Sequence, residues 1–196
     1  MINWIIIIFI SIFLGGISFS YLIGKFFFKE DIRDLGSGNA GATNALRVFG
    51  IKAAIATFVF DALKCTCSVY IAGKLEGIDG QSIALLITVL SHMYPYTSNF
   101  RGGKGIASSI GGIMVIDYRI GIIVLFGVFF VLVLTTKIVS IGSISAAIAY
   151  PICLLAFYGL ENKTLIITGF ILSFVVLYKH RVNMKKILNK TESKLY

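Results

Sequence analysis

The chain has 196 residues, 57% of them hydrophobic and only 14% charged, with a net charge of +9 and a mean hydropathy of +0.91. A soluble domain carries about a quarter charged residues, so a soluble globular enzyme is excluded and lipid is the expected solvent. The same hydropathy turns the basic balance away from nucleic acid, for which no role is expected, and toward the lysine and arginine excess that membrane proteins keep on their cytoplasmic side.

A transmembrane helix needs about 20 mostly apolar residues. In chain order the candidates are 2–24, 51–73, 82–97, 106–116, 120–136, 138–159 and 164–178. The first lacks a basic leader and a small-residue cleavage site, so it reads as a retained span rather than a signal peptide. The fourth is too short to cross alone and reads as a helix that begins partway into the membrane, just after Gly105. Cys65, Cys67 and Cys153 lie in apolar runs, with neither metal-ligand spacing nor a disulfide framework, and are expected as buried thiols. The expected architecture is one all-α domain over residues 1–196, an integral membrane protein of about seven transmembrane helices.

With seven spans the basic residues segregate. Lys25, Lys29, Arg33, Arg47, Lys52, Arg101, Lys104, Lys137 and the six of the tail after residue 178 fall on one side; Lys74, Arg119 and Lys163 fall on the other. The positive-inside rule then puts the N-terminus outside and the C-terminus in the cytoplasm. Three polar segments, 35–50, 98–105 and 179–194, share that cytoplasmic side, as does a Ser140–Ser143 turn.

The first of these, LGSGNAGATNALRVFG, carries Gly36, Gly38, Gly41 and Gly50 among Ser37, Asn39, Thr43, Asn44 and Arg47. Glycine lets backbone approach a ligand closely, successive N–H groups can cradle an oxyanion, and the arginine fork suits phosphate. The second, NFRGGKGIASS, sets Arg101, Gly102, Gly103, Lys104 and Gly105 before a helix start, where free N–H groups and the helix dipole favour anions. It departs from the Walker A pattern at Ser98 and Gly105, which argues against a nucleotide. In the third, KHRVNMKKILNKTESKLY, His180 and Asn183 share a face if the helix continues, and His180 suits a base or a donor to an oxyanion. Glu192 reads as structural, paired with a lysine. Inside the spans, Asp61 and Lys64 are spaced to form a bracing ion pair, and His92 reads as a satisfied core histidine. No His or Cys ladder indicates a metal, no cofactor motif is present, and neither an H-x4-D acyltransferase signature nor a G-x-S-x-G elbow occurs. The chain therefore offers phosphate binding and positioning, to be used on an electrophile that arrives activated. Transport of a phosphorylated solute is the rival reading of such basic helix ends.

The pieces GSGNAGATNALRVFG, HMYPYTSNFRGGKGIASS and HRVNMKKILNKTE, in this order and at this spacing, resemble the bacterial acyl-phosphate:glycerol-3-phosphate acyltransferases of the PlsY type. Ala40 replaces that family's usual proline, and Arg101 its usual lysine. The resemblance covers nearly the whole chain. It implies a seven-span enzyme of the bacterial cytoplasmic membrane with its site facing the cytoplasm. Such an enzyme moves an acyl chain from acyl-phosphate to the 1-hydroxyl of sn-glycerol-3-phosphate, giving lysophosphatidate and phosphate as the first acylation of phospholipid synthesis. Functional coupling to the enzyme that makes acyl-phosphate is also implied. Ser37, Arg47, Lys104, Ser143, His180 and Asn183 match positions that line that family's site. Lys104, His180 and Asn183 are the expected catalytic set. Ser37, Gly38, Asn39, Gly41, Thr43, Asn44, Arg47, Arg101, Gly102, Gly103, Gly105 and Ser143 are the expected phosphate-binding set.

Overall fold

The computed structural model describes residues 1–195, and among them every regular element is a helix. In chain order these are α1 (Ile2–Gly15), α2 (Phe19–Ile23, widening into a π-type turn over Gly24–Phe28), α3 (Ala42–Phe49), α4 (Ile51–Met93), α5 (Ile106–Ile116) and α6 (Tyr118–Ile122). A second π-type stretch, Ile123–Phe130, leads into α7 (Val131–Thr136), followed by α8 (Val139–Tyr158), α9 (Lys163–Lys179) and α10 (Arg181–Leu188). A helix appears on every apolar stretch of the sequence.

Straight, the 43 residues of α4 would run about 65 Å at 1.5 Å per residue, roughly twice the hydrocarbon core. Glu76 and Gly77 leave helical geometry, with Gly77 at φ +56°, and the two arms fold back on each other. Thr88 Oγ1 donates to Ser68 Oγ at 2.9 Å and Lys64 Nζ lies 3.0 Å from His92 Nδ1, pairings that only an antiparallel hairpin makes. Four continuous stretches are long and apolar enough to cross a membrane: Ile2–Phe28, Ile51–Ser98, Tyr118–Thr136 and Val139–Tyr158. The bent pair Lys163–Lys179 and Arg181–Leu188 adds a fifth, and Ile106–Ile116 is shorter.

Because lipid tails are as apolar as leucine, small residues and buried hydroxyls hold such helices together. A Cβ on Gly111 would strike the Ala62 carbonyl, and one on Gly15 would meet Thr88 and Ser91. Ser11, Ser68 and Thr88 form a buried hydroxyl chain across α1 and both arms of α4. Large apolar residues such as Phe9, Phe60, Leu134, Ile152 and Phe174 face outward, as a lipid solvent requires. Cys65 is buried, Cys153 half-buried and Cys67 exposed, so the expectation of three buried thiols holds in full only at Cys65.

At one end of the bundle the polar segments meet. Arg33 clasps Asp31 through both carboxylate oxygens, at 2.9 and 2.6 Å, and donates to the Ser98 carbonyl, tying the first loop to the second. Lys179 donates to the Met93 carbonyl at 3.1 Å, drawing the end of α9 to the same place. At the start of α6, Asp117 accepts from Arg119 and from the Tyr158 hydroxyl, which ties α6 to the end of α8.

Candidate active site

The first loop is shaped by Asn44. Its Oδ1 accepts from Ser37 N at 2.8 Å, and its Nδ2 donates to the carbonyls of Ile32 and Leu35 at 3.1 and 3.0 Å. These bonds turn residues 32–41 over the start of α3. Gly36 has φ +58° and a Cβ there would collide with Asn44, so glycine is required both by the turn and by the close approach. The second loop ends in Gly105, at φ +89° against Val89 and Met93. That left-handed residue aims Lys104 back over the start of α5.

Lys104 Nζ donates to Asn183 Oδ1 at 2.5 Å, and Asn183 Nδ2 donates to Glu192 Oε1 at 2.7 Å. Glu192 Oε1 also accepts from Ser140 Oγ at 2.8 Å. A half-buried polar relay thus links the second loop, α10, the C-terminal segment and α8. Burial pushes the Lys104 ammonium down to about 8; Glu192 opposes the shift, and Arg47 and Lys186 add to it. His180 sits where α9 gives way to α10 across a bend of 58°. Its Nδ1 lies 2.8 Å from the Val176 carbonyl. A carbonyl only accepts, so Nδ1 carries the proton and Nε2 keeps its lone pair. Burial holds the His180 imidazole down to about 4, with the Val176 bond opposing and the Lys104 charge adding to the shift; the ring is neutral at physiological pH.

These groups surround one cavity of about 320 Å³. Ser37, Asn39, Gly41, Thr43, Asn44, Arg47, Lys104, Gly105, Ser143, His180 and Asn183 all line it. Arg47 stands exposed on α3, Lys104 half-buried, and His180 and Ser143 buried. Phe58, Ile106, Phe129 and Val139 give the same cavity an apolar side. A neutral ring acceptor, a depressed ammonium, a guanidinium and a backbone loop around one space can grip phosphate oxygens and orient a hydroxyl.

Profile and structural comparison identify the lineage. A family model described as glycerol-3-phosphate acyltransferase matches residues 5–190. This chain belongs to the glycerol-3-phosphate acyltransferase family. It is 40% identical to the glycerol-3-phosphate acyltransferase of Thermoanaerobacter pseudethanolicus, over 95% of this chain and 92% of that one. The enzyme of the same name from Finegoldia magna is 38% identical, over 98% of both chains. Among solved structures, the glycerol 3-phosphate form of PlsY (YgiH), an integral membrane glycerol 3-phosphate acyltransferase, superposes with a TM-score of 0.91 at 31% identity, covering 98% of this chain and 95% of that one. The lysophosphatidic acid form of that protein superposes with a TM-score of 0.87.

Several expectations are corrected within this acyltransferase fold. Gly38, Arg101, Gly102 and Gly103 do not line the cavity. Gly38 turns the loop at φ +71°, and Arg101 is exposed. A Cβ on Gly102 would strike the His92 carbonyl and Pro95, and one on Gly103 would strike the His92 ring. Those two glycines let the second loop pack closely on His92 and Pro95. Ser140 and Ser143 lie in the first turns of α8 rather than in a turn between helices. The helix does not continue through His180, although the bend still delivers His180 and Asn183 to one cavity. Glu192 binds Ser140 and Asn183 instead of pairing with a lysine. Asp61 and Lys64 do form an ion pair, at 3.1 Å. Asp61 and His92 also reach the cavity wall, although the sequence favours a bracing ion pair and a core-satisfied histidine there.

Proposed function

We propose that this chain transfers an acyl group from acyl-phosphate to the 1-hydroxyl of sn-glycerol-3-phosphate, releasing 1-acyl-glycerol-3-phosphate and inorganic phosphate. The observation that carries the reading is the gathering of Arg47, Lys104, Ser143, His180 and Asn183, from four separate segments, around one cavity with an apolar side. Acyl-phosphate is a mixed anhydride with phosphate as its leaving group. The reaction needs no enzyme nucleophile: the glycerol hydroxyl forms the new ester bond to the acyl carbon, the acyl–O–P linkage breaks on the acyl side, and the hydroxyl proton leaves on phosphate.

Arg47, Lys104 and the first loop take the phosphate oxygens. Neutral His180, its Nδ1–H committed to Val176, accepts from the attacking hydroxyl through Nε2 and aims it. A ring held near 4 is too weakly basic to keep that proton, so it passes to a phosphate oxygen, whose second pKa is about 6. Holding oxygen and acyl carbon about 3–3.5 Å apart supplies several kcal/mol by proximity. The apolar side near Phe58, Ile106 and Phe129 receives the first carbons of the chain, whose remainder lies in lipid.

Counting Ile51–Ser98 as two spans and including Ile106–Ile116 gives seven crossings. We further propose that the N-terminus lies outside and that the cavity faces the cytoplasm of a bacterial inner membrane, within reach of the enzyme that makes acyl-phosphate. Purified protein in detergent, given acyl-phosphate and glycerol-3-phosphate, is expected to produce lysophosphatidate. The donor assignment fails if only acyl thioesters are used, and the enzymatic reading fails if no donor yields product while vesicles take up glycerol-3-phosphate.

A further inference from the structure

His92 belongs to none of the groups assigned above, yet it is buried on the cavity wall with only 4% of its surface exposed. Behind it lies Lys64, whose ammonium has three protons to donate. Three acceptors take them: the carbonyls of Gly15 and Ile17, at 3.1 and 2.6 Å, and His92 Nδ1, at 3.0 Å. Asp61 Oδ1, 3.1 Å from Nζ, balances the charge. An ammonium only donates, so His92 Nδ1 must present its lone pair. The opposite tautomer would set two donors against each other at 3.0 Å in exchange for a contact of 3.5 Å to Asp61, which is long for a hydrogen bond. The proton of His92 is therefore on Nε2, the nitrogen on the side of Gly103, directly before Lys104. The two histidines of the cavity are fixed as opposite tautomers by opposite partners. Val176 makes His180 an acceptor, and Lys64 makes His92 a donor.

We propose that His92 is a phosphate-binding residue: its Nε2–H, fixed as a donor by the Lys64–Asp61 pair, bonds a substrate phosphate oxygen in the cavity. The proposal rests on the acyl-transfer reading for the identity of that substrate. A rigid neutral donor there adds a bond to the phosphate without adding another charge beside Lys104 and Arg47.

Two substitutions separate this role from a purely structural one. Glutamine places an amide N–H near the position of Nε2 but loses the acceptor for Lys64, whereas asparagine keeps a group near Nδ1 but cannot reach the cavity. Loss of one hydrogen bond to a charged group is worth about tenfold or more, so H92N should raise KM for a phosphate substrate by at least about that factor. H92Q should hold KM near the wild-type value. The reverse order, or equal losses in both, overturns the proposal, because the bond to Lys64 or the shape of the ring would then be what matters. A second measurement does not depend on how these variants fold. In ¹⁵N-histidine-labelled wild-type protein, the His92 signals, assigned as those that persist in H180Q, should report an Nε2–H tautomer. The Nε2 resonance should move on titration with inorganic phosphate. An Nδ1–H pattern, or an Nε2 shift indifferent to phosphate, overturns the proposal whatever the turnover. A phosphate-responsive Nε2 in a protein that makes no lysophosphatidate would instead count against the acyl-transfer reading alone.

Discussion

Lys104 is held where its charge is unfavourable, and replacing it with methionine should expose that cost. In water its ammonium would hold its proton up to 10.5, whereas in the cavity it does so only up to about 8. At 1.36 kcal/mol per pH unit, keeping it charged at neutral pH costs the folded state roughly 3 kcal/mol. Methionine has nearly the same length and no charge, so K104M removes the cost and loses the bond to Asn183, worth about 1 kcal/mol net. The expected balance is a stabilisation of about 2 kcal/mol, or a Tm roughly 4–8 °C above wild type for a chain of this size. Turnover should be lost. Between about pH 8 and 10.5 the unfolded chain keeps a proton that the folded chain has released, so wild-type stability rises with pH across that window. The advantage of K104M should therefore shrink from pH 7 to pH 10. Thermal melts followed by circular dichroism in phosphate-free detergent buffer at both pH values test this. Phosphate should also raise the wild-type Tm and leave K104M unmoved. A variant no more stable than wild type at pH 7, or an advantage that does not change with pH, would refute the claim that burial of this charge strains the site.

Three further outcomes follow from other parts of the cavity. N44A should cost about 2 kcal/mol or more, since it leaves Ser37 N and two carbonyls without their partner; melting and faster amide exchange over residues 32–44 would show it. R47K should lower turnover about tenfold, because an ammonium lacks the bidentate fork, and should leave Tm unchanged, because residue 47 is exposed. His180, held near 4 in the fold against 6.5 in water, stays neutral while the unfolded chain takes up a proton. Stability should thus fall as pH drops from about 6.5 toward 4, and H180Q should flatten that fall in pH-dependent melts.

What the sequence disclosed depended on contrast. Polar segments between apolar helices have no reason to exist at membrane depth unless they line a wet cavity, so residues 35–50, 98–105 and 179–194 were legible as a candidate site from the sequence. The same contrast concealed Asp61 and His92. Both sit in apolar helices, and whether a residue there faces lipid, protein or cavity depends on how α4 folds back at Glu76–Gly77, a rotation that periodicity does not fix. Glycine was ambiguous for a different reason. A missing side chain signals only that something comes close. At Gly41 the space borders the cavity, whereas at Gly102 and Gly103 it is filled by His92 and Pro95. The second loop is therefore shaped by the protein around it, and only its Lys104 and Gly105 line the cavity. That division explains why the lysine must be held by Asn183 and Glu192 from the far end of the chain: a loop packed against His92 fixes its backbone but leaves a four-carbon side chain free to turn. The relay to residue 192 removes that freedom, and with Glu192 and Ser193 the C-terminal segment closes part of the cavity wall.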